Sequence, residues 1–379
     1  MQNRIRIVSV SMVLVILLIG IIVMNNNSNN KYSFTQDGIK YALTLDGEKA
    51  TSFPSKGMYK AQVVCDGADG KWLYDEWKLA IENITSDDVT CDINFSTITK
   101  IGLNDYIISL AGSTQGTGQV VNENGYRYEG KNPNNYVWFN NEYWRIIGVF
   151  DSSSHGQDGK NLVKIIRADL LDGLAWHKSN TNDWTAASLK SLLNGAYYNA
   201  QDGTSSGYCY GYSTTATANC DYTKKGIQSG YRGMIANVTW YLGGSSSRDA
   251  TAEAFYGYER GTTVYRGRPT STTGYIGLMY PSDYGYSVLA SSCARTTNLS
   301  SYSSATCAGQ SWLYGKGLEW TLTPSSSYSY DVFYLPFQGQ LYNASANNGF
   351  GSRPVLYLDA SVYKIDGDGS LENPYIVGM

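Results

Sequence analysis

The sequence predicts three parts in chain order: an N-terminal transmembrane helix, a small all-β sandwich and a larger C-terminal α+β domain. Three observations support this division. Residues 7–24 form an uncharged apolar run, residues 32–97 alternate apolar and polar side chains around turn signals, and residues 98–379 place helix-like periodicities between strand-like segments. A chain of 379 residues is long enough for two or three domains.

Composition restricts the class of partner. The net charge of −3 and the pI near 5.5 lack the basic footprint of a protein that binds nucleic acid. Only 16% of the residues are charged, whereas 33 tyrosines stand against 9 phenylalanines. Because each tyrosine hydroxyl needs water or a hydrogen-bond partner, this excess favours aromatic side chains at surfaces. We therefore predict no nucleic-acid partner.

The N-terminal segment, residues 1–24, is predicted to be a signal anchor. Its apolar run IVSVSMVLVILLIGIIVM, residues 7–24, would span about 27 Å as a helix, close to the roughly 30 Å hydrocarbon core of a bilayer. Arg4 and Arg6 favour an inside N-terminus, which predicts a single-pass protein of the cell membrane with an extracellular body. Residues 25–31 follow as a polar tether. A cleaved signal peptide is the alternative, although no small-residue cleavage pattern follows the run.

The six cysteines agree with an exported body. They fall into three sequence-local pairs, and none shows the Cys-x-x-Cys spacing of zinc or redox sites. Six cysteines permit fifteen pairings, of which the clustering favours the nearest-neighbour scheme. The predicted structural disulfides are Cys65–Cys91, Cys209–Cys220 and Cys293–Cys307.

Residues 32–97 are predicted to form the small β-sandwich. The segment GIKYALTLDGEKATSF, residues 38–53, alternates on both sides of an Asp-Gly turn, which is a hairpin signal. Residues 58–65 and 88–96 predict further strands that each carry one cysteine. A domain of this size often needs such a staple. The aspartates of this segment lack the spacing of a calcium loop and are assigned to exposed turns.

The α+β prediction for residues 98–379 rests on helices gathered between early and late strands. Helices are predicted at residues 183–199, with Asp183 as the N-cap, at residues 227–238, and after Asp249. Strands are predicted before them, at YRYEG, YVWFNN, YWRIIGVF and LVKIIRADLL, and after them, at GYIGLMYP, LEWTL, DVFYLPF, RPVLYLD and PYIVGM.

The most aromatic stretch, YVWFNNEYWRIIGVF at residues 136–150, is interpreted as a core hairpin. A tight turn around Asn-Asn-Glu joins two strands of alternating pattern. We therefore expect the rings to lie in a core, with the polar tips of Trp and Tyr bonded to partners. A substrate platform is the alternative.

A family resemblance rests on five segments: NNYVWFNNEYWRIIGVF, YIGLMYPSDYGYS, LEWTLTP, SRPVLYLDASV and GDGSLENPYIV. Together they resemble a domain of unknown function that recurs in exported and surface proteins of gut-dwelling Firmicutes and related bacteria. The resemblance covers roughly residues 100–379. The small module at residues 32–96 similarly resembles a disulfide-bearing β domain often found ahead of it.

The layout of that family resembles the C-type-lectin-like fold, shared with formylglycine-generating enzymes and with variable receptors of diversity-generating retroelements. The segment Gly349–Pro354 carries this link, which implies a lectin-like fold for residues 98–379. The copper-binding cysteine pair of formylglycine-generating enzymes is not carried over, because Cys293 and Cys307 are too far apart in sequence. The chain also lacks a type IV prepilin leader and the sugar-binding Glu-Pro-Asn or Gln-Pro-Asp triplet.

Catalytic signals are weak. The two histidines, His155 and His177, lie in no recognised catalytic motif. Asp283 and Glu319 are the carboxylates to inspect for an acid–base pair, although a structural role is favoured for both. No catalytic residue, metal or cofactor is predicted.

The binding signal lies in residues 325–349, SSSYSYDVFYLPFQGQLYNASANNG, which mix Tyr, Ser, Asn and Gly as antibody paratopes do. This segment directly precedes the strand beside which lectin-like folds display ligand-contacting residues. We expect an exposed loop clustered with two tyrosines of the preceding segment. The predicted ligand-binding residues are Tyr302, Tyr314, Tyr328, Tyr330, Tyr334, Gln338, Tyr342, Asn343, Asn347 and Asn348.

The functional hypothesis from sequence is a membrane-anchored extracellular binding or adhesion protein for a protein or glycan ligand. Two alternatives stay open: an exported hydrolase of glycans or peptidoglycan, and a structural surface or pilus-like subunit.

Overall fold

The computed structural model describes residues 34–36, 39–56, 58–74, 76–216 and 219–379. Contacts divide the chain into two compact units, one that ends at Lys100 and one that runs from Ile101 to Val377. The transmembrane helix predicted at residues 7–24 and the tether at residues 25–31 lie outside the described residues. Among the residues that are described, every helix is too short or too polar to cross a membrane.

The described part of the first unit is built from strands. In chain order they are β1 (Phe34–Gln36), β2 (Ile39–Leu45), β3 (Glu48–Lys49), β4 (Tyr59–Asp66), β5 (Asp69–Leu73), β6 (Lys78–Glu82) and β7 (Val89–Thr97). One sheet has the order β1, β2, β7, β4, with β3 paired to β2, while β5 and β6 form a separate antiparallel pair. Asp46 and Gly47 between β2 and β3 have φ of 51° and 89°, as a two-residue type I′ turn requires. The predicted Asp-Gly hairpin is confirmed.

An aromatic cluster fills the core of the first unit. The ring of Trp72 on β5 lies 4.9 Å from Phe95 on β7 and 5.0 Å from Phe53, both edge to face. On β7 the residues from Val89 to Phe95 are buried at alternate positions, as the period of a strand dictates. Cys91, on this buried face, is bonded to Cys65 of β4 directly opposite it.

The second unit is also mostly β. In chain order its strands are β8 (Ile101–Gly102), β9 (Thr114–Gln115), β10 (Gly118–Asn122), β11 (Tyr126–Gly130), β12 (Tyr136–Phe139), β13 (Glu142–Phe150), β14 (Leu162–Arg167), β15 (Leu171–Ala175), β16 (Tyr210–Tyr212), β17 (Thr215–Ala216), β18 (Val238–Tyr241), β19 (Ser271–Gly274), β20 (Ile276–Gly277), β21 (Glu319–Pro324), β22 (Asp331–Leu335), β23 (Tyr342–Ser345), β24 (Gly349–Ser352), β25 (Val355–Leu358), β26 (Tyr363–Asp366) and β27 (Tyr375–Gly378).

The helices of the second unit are short. They are α1 (Leu103–Ser109), α2 (Ser152–His155), α3 (Ser188–Leu192), α4 (Ser229–Arg232), α5 (Ala252–Arg260) and α6 (Pro281–Tyr286), with 3₁₀ turns at Trp184–Ala186, Leu299–Ser301 and Ala308–Gln310 and a π turn at Leu193–Tyr197. The fold class predicted for residues 98–379, an α+β domain of C-type-lectin-like type, is therefore wrong: the unit is β-rich with few helices.

Two sheets organise the second unit. The larger has eleven strands, with β20, β25, β14, β13, β12, β27, β26 and β8 side by side and β11, β10 and β9 attached through β13. The smaller has five strands in the order β15, β24, β21, β22, β23. Two buried tryptophans link the strands of the smaller sheet, since Trp320 donates its indole N–H to the carbonyl of Leu174 at 2.8 Å and Trp176 donates to that of Thr321 at 3.1 Å.

Two of the predicted helices are largely wrong. Residues 183–199 break into a 3₁₀ turn, α3 and a π turn, although Asp183 does accept the backbone N–H of Thr185. Residues 227–238 are helical only over α4. Beyond it the chain lies along β25: Ala236 donates its N–H to Tyr357, and the N–H of Asp359 bonds to Met234. Tertiary pairing thus overrides a helical period that contains two glycines. The helix predicted after Asp249 is confirmed as α5.

The stretch at residues 136–150 is a hairpin of the core, as predicted. Asn140 and Asn141 have φ of 58° and 60°, the type I′ geometry that joins β12 to β13. Phe139, Trp144 and Ile146 are fully buried. The hairpin is therefore a structural element and not a substrate platform.

All three predicted disulfides are confirmed: Cys65–Cys91, Cys209–Cys220 and Cys293–Cys307.

Replacing Cys65 and Cys91 together by Ser should lower the free energy of unfolding of the first unit by about 2–5 kcal/mol, because the bond restrains a 26-residue separation in a small domain. Hydrogen exchange followed by mass spectrometry should show faster exchange along β4 and β7. The double replacement of Cys209 and Cys220 is the matched control and should leave β7 unchanged. Unaltered protection at β7 in the first variant would contradict the prediction.

Candidate functional site

The smaller sheet of the second unit carries a cluster of half-exposed rings. Tyr334 of β22 lies opposite Tyr342 of β23 and opposite Trp320 of β21. Phe350 of β24 lies 4.6 Å from Tyr334 and 4.5 Å from Trp320, centroid to centroid. Trp320 is fully buried and forms the base of the cluster. Alternation along adjacent strands therefore places these rings in one row.

Arg248 completes this surface. Its guanidinium lies 4.0 Å from the centroid of Tyr342, within cation–π distance. Among the described residues none forms a hydrogen bond or ion pair with Arg248, so its N–H groups can donate hydrogen bonds to a ligand. The loop that carries it is held beside the hairpin because the N–H of Ser326 bonds to Ser245 at 2.9 Å. We define the aromatic face as Tyr334, Tyr342, Phe350 and Arg248.

Hydroxyl groups accompany the rings on the aromatic face. Tyr334 is half-buried, and burial raises the pKa of its hydroxyl, so the phenol stays neutral and can donate a hydrogen bond. The predicted residue Asn343 pairs with Phe333, so strand alternation places it on the opposite face of the sheet, where it donates its amide to the carboxylate of Asp331 at 2.6 Å. The aromatic face thus presents apolar rings, a cation and hydroxyl groups together.

The turn before β22 exposes two more predicted tyrosines. Tyr328 is 52% exposed and Tyr330 is 40% exposed, with ring centroids 5.9 Å apart. Buried Asn182 holds this turn, because its amide nitrogen lies 2.8 Å from each of three backbone carbonyls. The segment 325–349 is therefore a turn followed by a rigid hairpin, and not the exposed loop that was expected.

The remaining predicted site residues lie in different surroundings. Tyr302 is 1% exposed and packs against Tyr284, so its assignment as a ligand-binding residue is corrected. Tyr314 is half-buried and donates its hydroxyl to the carbonyl of Phe337 at 2.7 Å, beside exposed Gln338. Asn347 and Asn348 form the half-buried turn between β23 and β24.

Sequence reasoning missed three contributors to this surface. Arg248 lies in a Ser-rich loop about 80 residues before the hairpin, with no local signal that links them. Phe350 carries no sequence signal beyond its place in the segment Gly349–Pro354. The loop closed by Cys209–Cys220 lies against β24: Ser213 donates its N–H to Asn347, and exposed Tyr212 projects from it.

The candidate catalytic carboxylates are buried in ion pairs. Both oxygens of Glu319 lie 2.8 Å from the guanidinium of Arg353. Asp283 contacts Lys164 at 2.5 Å and Arg127 at 3.1 Å. Each carboxylate is only 2% exposed, which gives a substrate no access to it. These residues support a structural role and not acid–base catalysis.

The two histidines are also structural. His155 is buried, with Nε2 3.1 Å from the carbonyl of Phe150, and burial lowers its pKa. His177 accepts the backbone N–H of Ser179 on Nδ1, and burial lowers its pKa as well. Within the described ranges no group of three or more His, Cys, Asp or Glu side chains is placed to hold a metal ion.

A network of buried charges adjoins Asp283. Glu259 accepts hydrogen bonds from the N–H of Ser282 at 2.9 Å and from its hydroxyl at 2.5 Å, and it contacts Arg260. Burial, with a contribution from Asp283, raises the pKa of Glu259 to about 7. Burial lowers the pKa of Lys164 to about 8. Both shifts arise from the packed core.

Comparison with known proteins gives no assignment for these residues. The chain matches no family model, no curated protein and no solved structure. The resemblance of residues 100–379 to an exported bacterial domain therefore stays a prediction, and the chemistry of the aromatic face follows from its own side chains.

The raised pKa of Glu259 predicts a pH-dependent stability. From about 4.5 to about 7 the unfolded chain has released this proton while the folded chain keeps it, so stability is lost as pH rises through this window. The loss is about 3 kcal/mol at most. Urea unfolding across the window should show a smaller loss for Glu259→Gln than for the native chain.

The control for this measurement is Glu253→Gln, on the exposed first turn of the same helix. It should leave the pH dependence unchanged. Equal slopes for Glu259→Gln and the native chain would show that Glu259 is ionised in the fold.

Proposed function

We propose that this protein is a glycan-binding protein of the cell surface that holds its ligand on the aromatic face. The single observation that carries the proposal is the row of Tyr342, Tyr334 and Phe350 with the guanidinium of Arg248 stacked at its end. The C–H faces of sugar rings pack against aromatic rings, and sugar hydroxyls need donors and acceptors beside them. The hydroxyls of Tyr334 and Tyr342 and the N–H groups of Arg248 supply such groups on the same face.

Rigidity supports this function. Three strands carry the rings, and buried Trp320 backs them while its own N–H is bonded to Leu174. A ligand therefore does not have to order these side chains, which reduces the entropic cost of binding. Rigid tyrosines flanked by small polar residues serve antibody paratopes in the same way.

Location outside the cell is the second part of the proposal. The apolar run at residues 7–24 after Arg4 and Arg6 is suited to a membrane anchor, and three disulfides are suited to an oxidising compartment. We propose an anchored chain whose disulfide-bonded body faces the exterior.

The exported-hydrolase alternative receives no support from the carboxylates first considered for it. Asp283 and Glu319 are both enclosed with cations, where neither can reach a glycosidic bond.

Screening the full-length chain on a glycan array should yield bound glycans, and the combined variant Arg248→Ala, Tyr334→Phe, Tyr342→Ala should weaken their binding at least tenfold. The change Tyr334→Phe removes the hydroxyl but keeps the ring that packs on Trp320 and Phe350, whose loss would cost stability as well. Isothermal titration calorimetry measures the affinity, and thermal unfolding checks the fold.

Tyr258→Ala is the matched control, because this tyrosine is 42% exposed on α5. It should bind as the native chain does. Undiminished binding by the triple variant would show that the glycan does not bind on the aromatic face. Binding of a protein without binding of any glycan would show that the ligand is a protein.

A further inference from the structure

A second candidate site lies beside the loop closed by Cys293–Cys307. There a cleft of about 440 Å³ opens between this loop and the segment that leads into β21, with Lys131 at its border. Ser304, Gln310, Trp312 and Tyr314 are among the residues that line it. Its volume is at the low end of the range for small-molecule sites and suits one or two sugar units.

The walls of this cleft are held in place before any ligand arrives. Cys307 is bonded to Cys293, and the hydroxyls of Ser303 and Thr306 bond to each other at 2.8 Å. Trp312 donates its N–H to the carbonyl of Tyr128 at 2.8 Å. Such preorganisation lowers the cost of binding.

Polar groups in the cleft have unused hydrogen-bonding capacity. The amide of Gln310 and the hydroxyl of Ser304 bond to no other side chain or backbone group in the described part of the chain. Both can donate and accept, which matches hydroxyl groups that do the same. Tyr314 offers a half-buried ring whose own hydroxyl is already bonded to Phe337.

The charges around the cleft favour an anionic ligand. Lys131 is exposed and has no ion-pair partner among the described residues, and the lining includes no Asp or Glu. Arg145 lies 4.7 Å from the ring of Trp312 and is bonded to neutral groups, Asn135 and the carbonyl of Pro133. Burial, with a smaller contribution from nearby Arg353, lowers the pKa of Arg145 to about 10.

We propose that this cleft binds a sugar unit that carries a carboxylate, within an acidic glycan. The carboxylate pairs with Lys131, the ring packs on Tyr314, and the hydroxyls bond to Ser304 and Gln310. This assignment rests on the proposed glycan-binding function but uses none of the residues of the aromatic face, so the two can fail separately.

The test uses the full-length chain and paired probes: tetragalacturonate against its methyl ester, and sialyllactose against the methyl ester of its sialic acid carboxyl group. Each pair keeps the sugar rings and removes the charge. Calorimetry should show at least fivefold tighter binding of one acidic probe than of its neutral partner, and raising the salt concentration should reduce the difference. A preference seen only with tetragalacturonate indicates a uronic acid, and one seen only with sialyllactose indicates a sialic acid.

Lys131→Ala should reduce the preference for the acidic probe, whereas Lys131→Arg should retain it. Gln310→Ala should weaken the acidic and the neutral probe alike, because this side chain is assigned to the hydroxyls that both probes carry. Lys225→Ala, at another exposed lysine, is the matched control and should change nothing. The triple variant of the aromatic face should bind more weakly overall yet keep its acidic preference.

Equal binding of acid and ester, or an acidic preference that survives Lys131→Ala, would overturn the cleft assignment while the proposed glycan-binding function stands. If no glycan binds, on the array or by calorimetry, both the cleft assignment and the proposed glycan-binding function are contradicted. Stronger binding of tetraglutamate than of either acidic sugar would overturn the sugar class and make the ligand an acidic peptide.

Discussion

The buried carboxylate of Asp283 is the contact on which the second unit depends. It joins α6 to two strands of the larger sheet, through Lys164 on β14 and Arg127 on β11, and it also accepts the N–H of Tyr280. Charges buried this deeply are tolerated only when paired, and loss of one partner typically costs about 3–5 kcal/mol. Ser287, directly after α6, is hydrogen-bonded to Ser311, which lines the cleft. The wall of the cleft is therefore attached to the helix that Asp283 holds.

The smaller sheet displays surface side chains that the packed interior holds in place. Reciprocal indole hydrogen bonds from Trp176 and Trp320 fix its strands, and cross-strand pairing then sets the spacing of Tyr334 and Tyr342. The rings therefore have little freedom to lose when a ligand packs on them. The same hairpin ends in the turn that Tyr314 holds, so one element borders both the aromatic face and the cleft.

Local features of the fold could be predicted, and non-local ones could not. Asp46–Gly47 and Asn140–Asn141 specify their own turns, and α5 carries its own cap at Thr251. The segments at 183–199 and 227–238 have a helical period that neighbouring strands override. The composition of residues 325–349 indicated Tyr334 and Tyr342 as candidates, which stays a prediction. The burial of Tyr302 and the position of Arg248 beside Tyr342 depend on contacts between segments distant in sequence.

The loop between Cys209 and Cys220 has an evolutionary consequence. It contacts the turn at Asn347, its described residues contribute no strand to either large sheet, and its covalent closure keeps both ends together whatever lies between them. Insertions or exchanges within it leave the backbone pairing of both large sheets intact. The segment can therefore vary independently of the core, so the surface beside Asn347 can change while the architecture is kept.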